Sequence, residues 1–532
     1  DILGTNFCGS KINMMNKDIA SQFRELITEL VSTRSVVMSD GERVMADKIM
    51  AMLSDFDVFR KHPEWLRICP VKEDALNRYS VLALIKKPGI SETVLGIGHF
   101  DTVAIEDYGL LKPYANDPIE LKPQLKGILG DAEVLSDLEN PDYLFGRGSL
   151  DMKSGIAIWM TLLREFSRQD ARKNLLVCFV CDEEGNSKGM IDTIPVIRQM
   201  AADYQLDILS AIDTDYTSPQ FIGDDRRFLY GGTIGKILVQ FLCLGKEAHA
   251  GDPYQGIDAN ELVSALIEEI NMNPAYCDSN ELDVTVPPIT LSVKDDKQEY
   301  SVQTAKSASV TFNVTTISRS IAKWEEMFVE AARKASVKVT TKLTESYRTY
   351  CQKKGRDFTL LSNDVKVNVF ETDPTVRIIP LHNEDERDFS LRWVKEQVAA
   401  DPSAQIIVFL SMPYYPPHTL DINNEKHHKL VMEMIQCAPG YKYMPYYPYI
   451  SDLSFVSRAR KDDIDAISRL IPGYKYLNRI DWSALEGMDV PMMNVGPWGK
   501  DAHKYTERVY LPSVVSVYDI LSAYLCLKDS PE

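Results

Sequence analysis

The chain is short of cationic residues and of cysteine, and each shortage removes a class of function. Lys and Arg number 59 against 77 Asp and Glu, a net charge of −18 at pH 7. A partner built on a phosphate backbone calls for a basic face, so nucleic acid is not expected. Nine cysteines in 532 residues, odd in number and irregular in spacing, do not form a disulfide framework and read as reduced thiols of a cytoplasmic protein. Cys178 and Cys181 form a C-x-x-C, but positions i and i+3 of a strand face opposite sides, which makes them core residues. No run approaches the ~20 apolar residues of a membrane span. The opening "DILGTNFCGSKINMMNKDIASQF" has no basic segment leading into an apolar one, so a secretory signal and a membrane partner are not expected either. G-x-x-x-x-G-K-[ST] does not occur, which sets aside P-loop chemistry.

What is present is length and alternation. A chain of 532 residues exceeds one core. From about 18 to 231, helical stretches such as "KDIASQFRELITELVST" and "DMKSGIAIWMTLLREFSRQ" alternate with the buried strands "SVLALIKK", "TVLGIGHF", "NLLVCFVC" and "DILSAIDTD". Such alternation predicts an α/β domain with a mainly parallel sheet. The rhythm then changes to β-α-β-β-α-β over 232–350, ending in a strand at "VKVTTKLTE", which is the ferredoxin-like pattern of a second, inserted domain. Residues 351–405 form an extension assignable to either domain. Residues 406–532 return to strands and helices, and are expected to complete the first domain.

Polar residues gather where the apolar strands run out. "GHFDTV" places His99 and Asp101 two apart on one strand face, and "CDEEG" ends a strand with Asp182, Glu183 and Glu184. "GRGSLDMKSG" sets Asp151 at a loop-to-helix junction, where helix capping is an alternative role. "AIDTDYTSP" ends a further strand in Asp213 and Asp215, and "GKDAHKYTERV" puts His503 in a Gly-Pro-rich loop. In a parallel sheet the strand C-termini share one edge, where ligand sites form. His99, Asp151, Glu184, Asp215 and His503 converge there, and two imidazoles with three carboxylates suit a pair of divalent ions, one carboxylate bridging. Nitrogen and oxygen donors favour Zn²⁺ and admit Mn²⁺ or Co²⁺.

The ordered motifs "GHFDTV", "GRGSLDMKSG", "CDEEGNSKG", "GKEAHAGDPYQGIDAN" and "GPWGKDAHKYTERV" resemble those of the M20 metallopeptidase/deacylase family. The chain's size and the stretches "DTDYTSP", "MPYYPP" and "YYPYISDLSF" are most similar to its arginine-utilisation (RocB-like) subgroup. The resemblance implies a di-metal hydrolase domain with an inserted ferredoxin-like lid and dimerisation domain. It places His99 and Asp215 on one ion, Glu184 and His503 on the other, and Asp151 between them, with Asp213 as the fallback for Asp215. Asp101 would orient His99, and Glu183 would be the general base. His249 would be a lid histidine supporting the oxyanion, within one chain or across a dimer. The implied substrate is an N-acyl amino acid or small peptide.

The lid departs from the family pattern. Tyr300 stands where an Asn is expected and Thr315 where an Arg is expected, with Arg319 nearby, so the clamp on the substrate carboxylate is rebuilt. Asp452 of "YISDLSF" resembles a pocket motif or else an N-cap, and "YKYMPYYPYI" suits a pocket lining or packed surface. The competing function is a binding or regulatory protein on the same fold, without turnover.

Overall fold

The structure is a computed structural model and describes residues 6–128, 130–168, 171–297, 299–360, 363–371, 377–381 and 384–526. The chain divides into two compact units. The first comprises Asp1–Thr233, Thr419–Arg458 and Arg479–Glu532, and the second Ile234–His418 and Ala459–Asn478.

The first unit is built on a mixed, mainly parallel sheet. Among the described residues it has eight strands, in the order Leu66–Pro70, Tyr79–Ile85, Asn174–Val180, Glu92–His99, Asp207–Asp213, Met492–Asn494, Phe228–Gly231 and Lys442–Met444. Its centre is parallel: Glu92–His99 lies between Asn174–Val180 and Asp207–Asp213, with Met492–Asn494 beyond, all running the same way. The three central strands therefore finish at one edge, carrying His99, Cys181–Glu184 and Asp213–Asp215 with them. Asn174–Val180 is buried along its whole length, as a strand covered on both faces must be.

Helix Lys153–Phe166 crosses this sheet, buried at every position from Lys153 to Leu163. A Cβ on Gly96 would come within 2.9 Å of the Trp159 ring, and the Trp159 indole N–H donates to the Ile97 carbonyl at 2.7 Å. Close packing there seats the helix start, and Asp151 with it, against the strand that ends in His99. Helices Asn6–Val31 and Leu511–Cys526 pack beside it.

The second unit holds a five-stranded sheet in the order Lys366–Val369, Gln405–Tyr415, Gly235–Leu244, Ser307–Thr316, Ile289–Asp295. Its last four strands are antiparallel throughout, in the ferredoxin-like order. The strand expected at "VKVTTKLTE" is not there. Helix Ile321–Lys354 runs straight through it. Buried Ala331, Ala332, Ala335 and Val339 continue one helix face, and the Thr340 and Thr344 hydroxyls bond back to the carbonyls of Ser336 and Thr340 at 2.9 and 2.8 Å. Tertiary burial thus overrides β-branched propensity. The vacant place is taken by Gln405–Tyr415, buried at all its positions, which had been expected to open the second half of the first domain. Residues 406–418 and 459–478 accordingly belong to the second unit, as do the described parts of 351–405.

Candidate metal centre

Asp151 sits between two histidines. Its Oδ1 lies 3.0 Å from His99 Nε2 and its Oδ2 2.9 Å from His503 Nε2. Capping does not explain it: the helix that follows has Met152 at its N-cap and no side-chain cap. His503 Nε2 is also 3.0 Å from Glu184 Oε1, and donor atoms of His99, Asp151 and Glu184 all fall within 4.8 Å of one another. Glu183 Oε2 is 3.9 Å from His99 Nε2.

Asp101 reaches His99 differently from the expected carboxylate contact. The His99 Nδ1 lies 3.1 Å from the Asp101 carbonyl and 3.7 Å from its carboxylate. The Asp101 carboxylate instead accepts the backbone N–H of Glu183 and of Glu184, at 3.2 and 3.0 Å. One residue thereby holds both the imidazole and the pair of glutamates. Since a carbonyl only accepts, Nδ1 carries the hydrogen, and a neutral ring then presents Nε2 as a lone pair.

The two candidate aspartates of "AIDTD" differ in their surroundings. Asp213 accepts the Ser451 hydroxyl at 2.7 Å and the backbone N–H of Asp215 at 3.2 Å. Asp215 accepts the Tyr447 hydroxyl at 2.9 Å and the Tyr216 N–H at 2.7 Å. A Cβ on Gly496 would overlap the Asp215 carbonyl, so only glycine lets the loop leading to His503 pass so close. Tyr447 lies within "YKYMPYYPYI", a run that suits packed surface or a pocket lining from the sequence. Asp452 begins the short 3₁₀ segment Asp452–Phe455, and its cap is Ser451 rather than Asp452 itself.

Electrostatics single out this cluster. Burial raises the Glu183 carboxyl well above its ordinary range, with the charges of Asp452 and Glu184 adding to it against His99. Asp215 is likewise raised, first by burial and then by the charge of Asp151, and burial carries Asp101 to about 7. Burial pulls the His99 ring down, but Asp151, Glu183 and Asp101 outweigh it and hold the ring well above its ordinary value. So many buried carboxyls around two imidazoles need positive charge. His99 Nε2 is buried without a hydrogen-bond partner despite its nearness to Asp151. The donor set, its closeness and that orphaned nitrogen all fit divalent cations.

The remaining expected residues lie in the second unit. His249 is exposed, with Nδ1 accepting the Gly251 N–H at 3.0 Å. Tyr300 is 95% exposed, while Arg319 donates to the Cys277 carbonyl at 3.1 Å and lies over the Trp324 ring. Arg319 is thus engaged inside its own unit.

Residues 97–400 match the peptidase family M20/M25/M40. The chain belongs to that family. This M20 member is 32% identical over 536 residues to the "Uncharacterized protein YqjN" of Bacillus subtilis (strain 168), across 96% of each chain. It is 30% identical over 541 residues to "Protein RocB" of the same organism, across 96% of this chain and 95% of that one. Its fold is similar to the crystal structure of aminopeptidase PepT from Bacillus cereus ATCC 10987, with a TM-score of 0.53 at 12% identity, covering 95% of this chain and 98% of that one. The M20 chain is an enzyme, a metal-dependent hydrolase of the peptidase and deacylase class. No described helix is long and apolar enough to cross a membrane, and the eight cysteines described are free.

Proposed function

We propose that this M20 enzyme hydrolyses the amide bond of an N-acyl amino acid or small peptide at a site for two divalent cations, Zn²⁺ by preference and Mn²⁺ or Co²⁺ as alternatives. The observation that carries the reading is Asp151, whose two oxygens address two different histidines at 3.0 and 2.9 Å. His99 and Asp215 would hold one cation, Glu184 and His503 the other, with Asp151 shared. Bound there, the cations would polarise the scissile carbonyl and acidify water.

The chain's own residues supply the rest. Glu183, raised by burial, is suited to take a proton from water and pass it to the leaving amine. Asp101 keeps that base in place through its backbone N–H and fixes the tautomer of His99. His249 would donate to the oxyanion. The 30% identity to RocB supports a substrate from arginine or related amino-acid metabolism, and the free thiols support a cytoplasmic setting. The edge strand Ile289–Asp295, with Leu291 57% and Val293 53% exposed, supports a homodimer through the second unit.

The test is cation analysis of wild type and Glu183→Gln, with turnover measured on a panel of N-acyl amino acids and dipeptides. Two cations in both proteins, with hydrolysis lost in the variant, is the expected result. Cations bound without turnover of any amide would favour a binding protein, and a protein taking no cation would end the reading.

A further inference from the structure

Behind the donors of the metal centre, one buried ion pair joins the loops that carry Asp151 and His503. Glu507 is 0% exposed. Its Oε1 accepts the backbone N–H of Gly148, Leu150 and Asp151 at 2.8, 3.1 and 3.3 Å. Its Oε2 accepts Arg147 Nη1 at 2.9 Å. Arg147, 1% exposed, turns its Nη2 to the His503 carbonyl at 3.3 Å and to Asp107 at 2.8 Å. The backbone of Asp151 and the backbone of His503 are therefore tied to the same two side chains, neither of which offers a donor to the cluster.

The His503 loop needs such a tie. His503 and Asp501 both have positive φ, +66° and +60°, a conformation that L-residues hold only when their surroundings impose it. The His503 side chain is 48% exposed, so packing around the ring does little to fix it. His99 is in the opposite situation: 3% exposed, on a strand end, with its ring held by the Asp101 carbonyl. A buried ion pair is weak evidence for stability as such. A carboxylate accepting three neighbouring N–H groups while gripping an arginine is, however, a strong constraint on geometry.

We propose that Glu507, acting with Arg147, is a positioning residue that sets the place of His503 relative to Asp151, and so the affinity of the cation position formed by His503 and Glu184. The inference rests on the two-cation reading above. It separates the two positions by degree, because Asp151, whose N–H Glu507 accepts, is shared by both, whereas the tie from Arg147 to the His503 carbonyl serves one alone.

The test is Co²⁺ titration of cation-stripped protein, followed by visible absorption and calorimetric stoichiometry, for wild type, Glu507→Gln and Arg147→Lys. Wild type is expected to take two ions. In both variants the position formed by His503 and Glu184 should weaken about 10- to 100-fold, the usual effect of losing support behind a ligand, and the other position by much less. The thermal midpoint of the cation-free proteins is measured in parallel. A lowered midpoint with both affinities intact would make the pair merely structural and overturn the inference. Two equally weakened positions would overturn it as well. Should both buried variants fail to fold, Asp107→Asn loosens Arg147 from its part-exposed side and should weaken the same position to a smaller degree; unchanged affinities there would overturn it. Wild type taking fewer than two ions would overturn the two-cation reading, and this inference with it.

Discussion

Arg78 donates to Asp182 Oδ1 at 2.6 Å, with neither side chain exposed. The same guanidinium lies 3.0 Å from Glu42 and 2.9 Å from Asp74, while Glu42 Oε1 accepts the Asp182 N–H at 2.9 Å. Of three successive acids after the strand, the first is thus neutralised by an arginine. Only Glu183 and Glu184 are left for the candidate metal centre. Asp182 also takes the positive φ of the turn, +67°. Gly185 is needed for room instead, since a Cβ there would come within 2.8 Å of Asp182 Oδ1.

Removing Arg78 should be severe. Arg78→Met leaves Asp182 and Glu42 buried without their cation, a loss of about 3–5 kcal/mol in urea unfolding. Adding Asp182→Asn should recover part of it, because the two changes share one interaction. A single variant within ~1 kcal/mol of wild type would contradict this, since breaking a buried pair costs more.

Asp213 and Asp215 should separate cleanly in cation analysis. Asp215→Asn is expected to lose one of two bound ions. Asp213→Asn should keep both and lose only the Ser451 hydrogen bond, a cost of about 1 kcal/mol. The opposite pattern would transfer the ligand role to Asp213.

Lys153 gives stability a defined pH dependence. Its ammonium is buried, donates to the Thr33 carbonyl at 2.7 Å, and is pulled by burial from 10.5 down to about 7. Between those values the unfolded chain binds more protons than the folded one, so stability rises with pH across that window and is lost as pH falls towards 7. Lys153→Met should flatten the rise, read as urea midpoints at pH of about 7 and about 9.5. Equal slopes in the two proteins would count against it.

His249→Ala should lower kcat by about 10²- to 10³-fold, the usual cost of one oxyanion donor, while bound cations stay the same. An effect confined to KM would assign His249 to substrate binding alone.

The central strands, the mainly parallel sheet and the polar residues at its edge were legible because each follows from a local pattern. Apolar runs end in His99, Glu183 and Glu184, and Asp215, and a shared strand direction brings such ends together. The family, too, follows from ordered motifs. "VKVTTKLTE" misled because its β-branched residues look like a strand when taken alone, whereas burial along helix Ile321–Lys354 decides its state.

Sequence alone sufficed for the fold class and the family, since apolar strand runs and ordered motifs are local patterns of residue types. Folding had to supply what lies behind them. Arg78 meets Asp182 across 104 positions, Arg147 meets Glu507 across 360, and Tyr447 meets Asp215 across 232. No local periodicity encodes such pairings, because they arise from which loops the packed sheet brings face to face.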